Sequence, residues 1–217
     1  MGSRLRAFGR SFEVWLFLRL AERREIQGVP VAVGCEDADQ VFDKIEAAFE
    51  LLEFYGKQAL AGLRKDTNGV WVDDVSPGIA QWRRDHRLVV VDEDYVRDPA
   101  TSPRHVASAL IHEVTHARLE RMGFEYVQDR RERIEKACFR RELAFARRLP
   151  PGAEALVAEA EAQLARPPDY LTPEWRRARM VEKNRRRLEK LRELSVPRWF
   201  VAALERLSTR RLSRLVD

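Results

Sequence analysis

The sequence predicts an α+β fold, mostly helical, with a small antiparallel sheet ahead of a long central helix and a helical C-terminal extension. Three observations carry this expectation. From residue 104 onward every strong periodic signal is helical; three short β-branched runs crowd into 70–91; and 37–63 repeats apolar residues near the 3.6 period. The division expected is 1–150 for the compact domain and 151–217 for a helical extension packed on it.

Taken in order, 10–26 carries Phe12, Trp15, Leu16, Leu18, Leu20 and Ile26, and is expected as a helix ended by Gly28 and Pro30. Residues 29–33 alternate and are β-branched, so a short strand follows. Val41, Ile45, Phe49, Leu52, Leu60 and Leu63 then fit one long amphipathic helix over 37–63. The runs 70–72, 79–82 and 87–91, separated by turn residues, supply the sheet. Pro99 and Pro103 close it, and a helix is expected from Arg104 to Met122, with Gly123 as its stop. A second helix over 129–149 places Ile134, Cys138, Phe139, Phe145, Ala146 and Leu149 on one arc.

The composition suits a folded enzyme. At 217 residues, with 45% apolar and 35% charged residues, the chain is long enough to bury a sizeable core. Cys35 and Cys138 form no CxxC pair or disulfide framework, so each reads as a buried, inert thiol. The apolar run 12–18 is too short for a bilayer span and no cleavage-site pattern follows, so the expected location is cytoplasmic and no membrane partner is expected.

Within this frame, His112-Glu113-Val114-Thr115-His116 carries the chemistry. Histidines four apart share a helix face and can grip one zinc ion, with the intervening glutamate placed to work on a metal-bound water. Only four histidines occur in the chain, and two fall at this spacing. The pattern points to a zinc-dependent hydrolase, with Zn2+ as cofactor and Glu113 as the catalytic base. A catalytic zinc wants a third protein ligand and one open position. The three-histidine extension would need glycine at 119 and histidine at 122, where Leu119 and Met122 stand, so the metzincin solution is excluded.

The next helix offers Glu135 and Glu142, both projecting from its apolar arc. With a rise of about 1.5 Å per residue on two antiparallel helices, Glu135 arrives level with His112 and His116, and Glu142 stands roughly 10 Å beyond. Glu135 is therefore the expected third ligand. Glu142 is expected as an acceptor that orients a ligand, or as an alternative ligand. For both glutamates the competing reading is an ordinary ion pair with Arg130, Arg131, Arg140 or Arg141.

With these residues in place the chain resembles a gluzincin, the thermolysin-like branch of HExxH zinc metallopeptidases, in a compact bacterial form. The likeness spans roughly residues 88–150: His112 and His116 match the histidine ligands, Glu113 the general base and Glu135 the downstream glutamate ligand. Arg118 and Phe139 depart from the pattern, at positions where an apolar or small residue and an aspartate are usual. The resemblance implies a zincin-like fold and hydrolysis of peptide bonds by a zinc-bound water that Glu113 activates. The substrate would be a protein or peptide, a narrow one if the enzyme is regulatory. It also implies a strand beside the motif helix on which substrate adds as a further strand, for which 87–91 is the candidate. An oxyanion donor is expected from a Tyr or His, with Tyr95, Tyr126, His105 and Tyr170 available and none preferred.

A net charge of +5 and pI near 9.5 raise a nucleic-acid partner. Most of the arginines are interleaved with glutamates, as on a solvated helical surface. The exception is 176–192, where nine Lys and Arg outnumber the acids, with Trp175 the neighbouring aromatic. A catalytically silent module binding nucleic acid or protein through 176–192 is thus the alternative to the peptidase.

Overall fold

A computed structural model describes residues 21–34, 37–73, 75 and 78–166, together with the isolated positions 172, 174, 178, 181 and 185. The expectations for residues 10–20, Cys35, Tyr170 and the basic stretch 176–192 lie outside the described residues, apart from isolated positions in the last. Two compact units divide the chain at 166/167. Every element named below belongs to the first.

The fold is α+β. Its strands are β1 (Glu22–Ile26), β2 (Val29–Val33), β3 (Gly69–Asp73), β4 (Ala80–Arg83) and β5 (Leu88–Asp92). Its helices are α1 (Ala38–Tyr55), α2 (Lys57–Asp66), α3 (Glu93–Arg97), α4 (Pro103–Arg121), α5 (Gln128–Ala146) and α6 (Glu154–Ala165). The strand order is β1-β2-β3-β5-β4, with the three central strands parallel and both edge strands antiparallel to their neighbours. The sheet is therefore mixed, which corrects the small antiparallel sheet expected from the turns. Val70-Trp71-Val72 and Leu88-Val89-Val90-Val91 are buried throughout, as strands covered on both faces are. One face, with Val31, Val33, Val70, Val72, Val89 and Val91, packs into the main core with Phe42, Ile45, Phe49 and Leu52 of α1 and Val106, Leu110 and Val114 of α4.

Two further expectations are corrected. The helix expected over 10–26 is a strand at its described end, because Gln27 and Gly28 both take positive φ (49° and 72°) and pair Ile26 with Val29 across a two-residue turn. The helix expected over 37–63 is two helices, broken at Gly56, the poorest helix former short of proline. Gly62 lets α2 sit close on α4: a Cβ there would lie 2.9 Å from Val114 Cγ2.

The motif helix α4 is tightly bounded. Ser102 precedes it with Pro103 at its first position, and the Ser102 N–H donates to His105 Nδ1 at 3.3 Å. Its end is a Schellman turn: Gly123 (φ 85°) donates to Glu120 O at 2.8 Å and Phe124 to Leu119 O at 2.9 Å. Residues 122–127 then reverse the chain into α5. Among the described residues no helix is long and apolar enough to cross a membrane.

Candidate metal centre and hydrolytic site

The site lies between α4 and α5, whose facing sides carry His112, His116, Glu135 and Glu142. His112 and His116 are one turn apart with ring centroids 4.9 Å from each other. Glu135 reaches both: its Oε2 is 3.2 Å from His112 Nε2 and its Oε1 is 3.7 Å from His116 Nε2. Tyr126, in the connection, donates its hydroxyl to the same Oε1 and meets the His116 ring edge-on at 5.1 Å. Phe139 packs edge-on against His112 at 5.0 Å.

Glu142 stands behind the other side of His112. Its Oε1 is 2.6 Å from His112 Nδ1, and its Oε2 accepts from Ser108 Oγ at 2.8 Å. The two carboxylates thus take one imidazole nitrogen each, leaving the His112 Nε2 edge facing Glu135 and His116. A residue near 139, where the resembled family has its aspartate, is not needed for this, because Glu142 supplies the acceptor.

Glu113 turns from the same helix toward the sheet. It is buried and accepts the backbone N–H of Trp82 at 2.6 Å. That N–H points away from β5, the one strand beside β4 among the described residues. The Trp82 indole donates to Glu120 Oε2 at 2.8 Å, while Arg84 Nε sits 2.7 Å from Glu120 Oε1. Glu120, on the same helix two turns on, therefore clamps the edge strand over Glu113. The strand expected to receive substrate, 87–91, is β5 and is paired on both sides; the free edge beside the motif helix belongs to β4. The apolar run misled because it marks burial, which an edge strand lacks.

Burial sets the proton affinities. Burial pushes Glu113 up to about 7, with Glu135 and Glu142 adding to it against the pull of His112 and the Trp82 N–H. For Glu135 burial also works upward, but the hydrogen bond and charge of His112, then His116 and Tyr126, outweigh it and hold the carboxyl at about 2. Burial lowers His112 too, yet its bonds to Glu135 and Glu142 prevail and keep it protonated well above the ordinary imidazole range. His116 drops to about 4 through burial and the neighbouring His112 charge.

The donor set fits a zinc ion. Ligands of a tetrahedral zinc at about 2.0–2.1 Å lie about 3.3 Å apart, and the Glu135 oxygens are 3.2 and 3.7 Å from the two Nε2 atoms. A second set of three has Cys138 in place of Glu135. His112, His116 and Cys138 could hold a metal ion, their ligand atoms all lying within 4.8 Å of one another. Reading the cysteine as inert missed this; its spacing of three after Glu135 already set both on one face. The two candidate third donors differ in charge. The Glu135 carboxyl is already ionised and meets both imidazoles, whereas burial and then Glu135, Glu113 and Glu142 push the Cys138 thiol well up.

Two named residues stand outside the histidine–glutamate cluster, although burial, then the charges of Glu159 and Glu142, push the Tyr95 phenol up. His105 caps the start of α4, and Tyr95 is a partly buried residue packed against the main core. Trp82, Glu120 and Ser108 were not singled out by the sequence for this site, as each arrives through packing that no motif records; Arg131 was named only as an ion-pair partner for the glutamates. No protein-family model, curated protein or solved structure matches the chain, so the residues themselves carry the functional argument.

Proposed function

We propose that the chain is a zinc-dependent hydrolase acting on peptide bonds, with His112, His116 and Glu135 as ligands and Glu113 as general base. The observation that carries this is the division of labour on one helix: two imidazoles turn to a carboxylate on α5, and the glutamate between them turns to the free edge of β4. Zinc held there would supply Lewis-acid polarisation of a carbonyl and of water. Glu113, with an affinity near 7, takes a proton from the attacking water and passes it to the departing amine. Glu142, backed by Ser108, fixes the His112 ring by holding Nδ1. The edge of β4, unpaired with a further strand among the described residues, receives an extended peptide through its backbone beside the Trp82 N–H that Glu113 holds.

One observation favours a second reading. If Cys138 also ligates, four protein donors close the coordination and leave no place for substrate, giving a structural, catalytically silent centre. Metal analysis of the purified chain with Glu113→Gln and Cys138→Ser separates the two. The hydrolase requires stoichiometric zinc in all three proteins and loss of peptide hydrolysis in Glu113→Gln alone. Zinc lost from Cys138→Ser supports the silent centre, and no zinc in any protein removes both.

A further inference from the structure

Arg131 is a buried charge that the proposed reaction leaves unused. It stands one turn before Glu135 on α5, so both side chains leave the same face of the helix. Only 9% of it is exposed, and its Nε has no hydrogen-bond acceptor among the described residues. Its guanidinium carbon rests 4.6 Å from the centre of the Tyr126 ring, the ring that abuts His116 and whose hydroxyl donates to Glu135. The charge is near enough to His116 to disfavour that ring's protonated form. Glu135, one turn further along the helix, turns its oxygens to His112, His116 and Tyr126.

Taking a guanidinium out of water against an aromatic face leaves its buried Nε–H without the acceptor such a donor needs. A partner arriving from outside must be an anion, and in a peptide substrate that anion is a carboxylate, whose two oxygens match the guanidinium fork. We propose that Arg131 binds a carboxylate of the substrate, so that the site takes peptides carrying a free carboxylate next to the bond that is cut. This rests on the zinc hydrolase reading above. The carboxylate has two sources, the C-terminus of the peptide or an Asp or Glu side chain flanking the scissile bond.

The test is binding of metal-seeking probes to the zinc-loaded full chain. Malonyl hydroxamates of leucine and of leucine amide differ only in a terminal carboxylate; those of aspartate α-amide and asparagine α-amide differ only in a side-chain one. At least tenfold tighter binding of the acid within one pair supports the inference, and the pair that shows it names the source. The preference should vanish in Arg131→Met and survive in part in Arg131→Lys, and the wild-type comparison decides the matter should Arg131→Met fail to fold. Equal binding within both pairs overturns the role of Arg131 and leaves the metal centre standing. Failure of all four probes to bind removes the open metal position, and this inference with it.

Discussion

Replacing Glu142 by Gln tests whether the carboxylate behind His112 serves the metal. The side chain keeps its size and an acceptor for Nδ1–H, but the charge-assisted bond at 2.6 Å becomes a neutral one, and the amide offers no second oxygen to Ser108 Oγ. Partners of this kind typically change metal affinity 10- to 100-fold, about 1.4 to 2.8 kcal/mol. Proton competition modifies this. Glu142 also helps hold His112 above the usual range, so the wild type must release a proton from His112 to bind metal, and Glu142→Gln releases it more easily. The loss is therefore smallest at low pH and approaches its full size once His112 is neutral in both proteins. Competition for zinc against a chromophoric chelator at several pH values, with circular dichroism confirming the fold, reads this directly. Affinities within twofold of each other at every pH would refute the argument.

Glu113→Gln should retain zinc while peptide hydrolysis drops roughly 10²- to 10⁴-fold, as loss of a general base does, measured as the rate at saturating metal. Zinc binding should release about one proton near neutral pH, because His112 starts protonated while Glu135 does not, and titration calorimetry in buffers of different ionisation heat counts it. For the metal-free fold, Glu113 is raised from 4.5 to about 7, so its folded form binds more protons and stability falls as pH rises through that window. His116 is lowered from 6.5 to about 4, so its contribution is present above 6.5 and lost as pH falls toward 4. Between about 4.5 and 6.5 the two oppose each other, each worth on the order of 3 kcal/mol over its full span. Denaturant unfolding of the metal-free protein should therefore be nearly flat there, whereas Glu113→Gln should lose stability as pH falls. Gly62→Leu should destabilise by about 1–3 kcal/mol in the same assay, since even a Cβ at that position meets Val114 at 2.9 Å.

The site was more legible in the sequence than the sheet. The spacing of His112 and His116 and the height of Glu135 follow from one helical period and a short reversal, whereas Glu142, expected roughly 10 Å beyond Glu135, bonds the opposite nitrogen of the same His112 ring. Strand order is not local: whether Leu88-Val89-Val90-Val91 pairs on one side or two depends on β3, laid down earlier in the chain. The start of the chain misled for a related reason, since Glu22–Ile26 becomes a strand through pairing with β2 across Gln27 and Gly28. Cys138 was read by its type and redox setting, though its position on the Glu135 face was the stronger signal.

The Schellman reversal after α4 bears on the order of assembly. It makes the two ligand-bearing helices sequence neighbours, so closing them into a hairpin costs little loop entropy. The ligands can find one another without the sheet, whereas Trp82 must be delivered to Glu113 by a strand formed earlier in the chain. In the proposed enzyme, metal capture and catalytic competence would thus depend on contacts of different range. Damage to β4 should leave a protein that holds its ion but has lost the strand that aims its base.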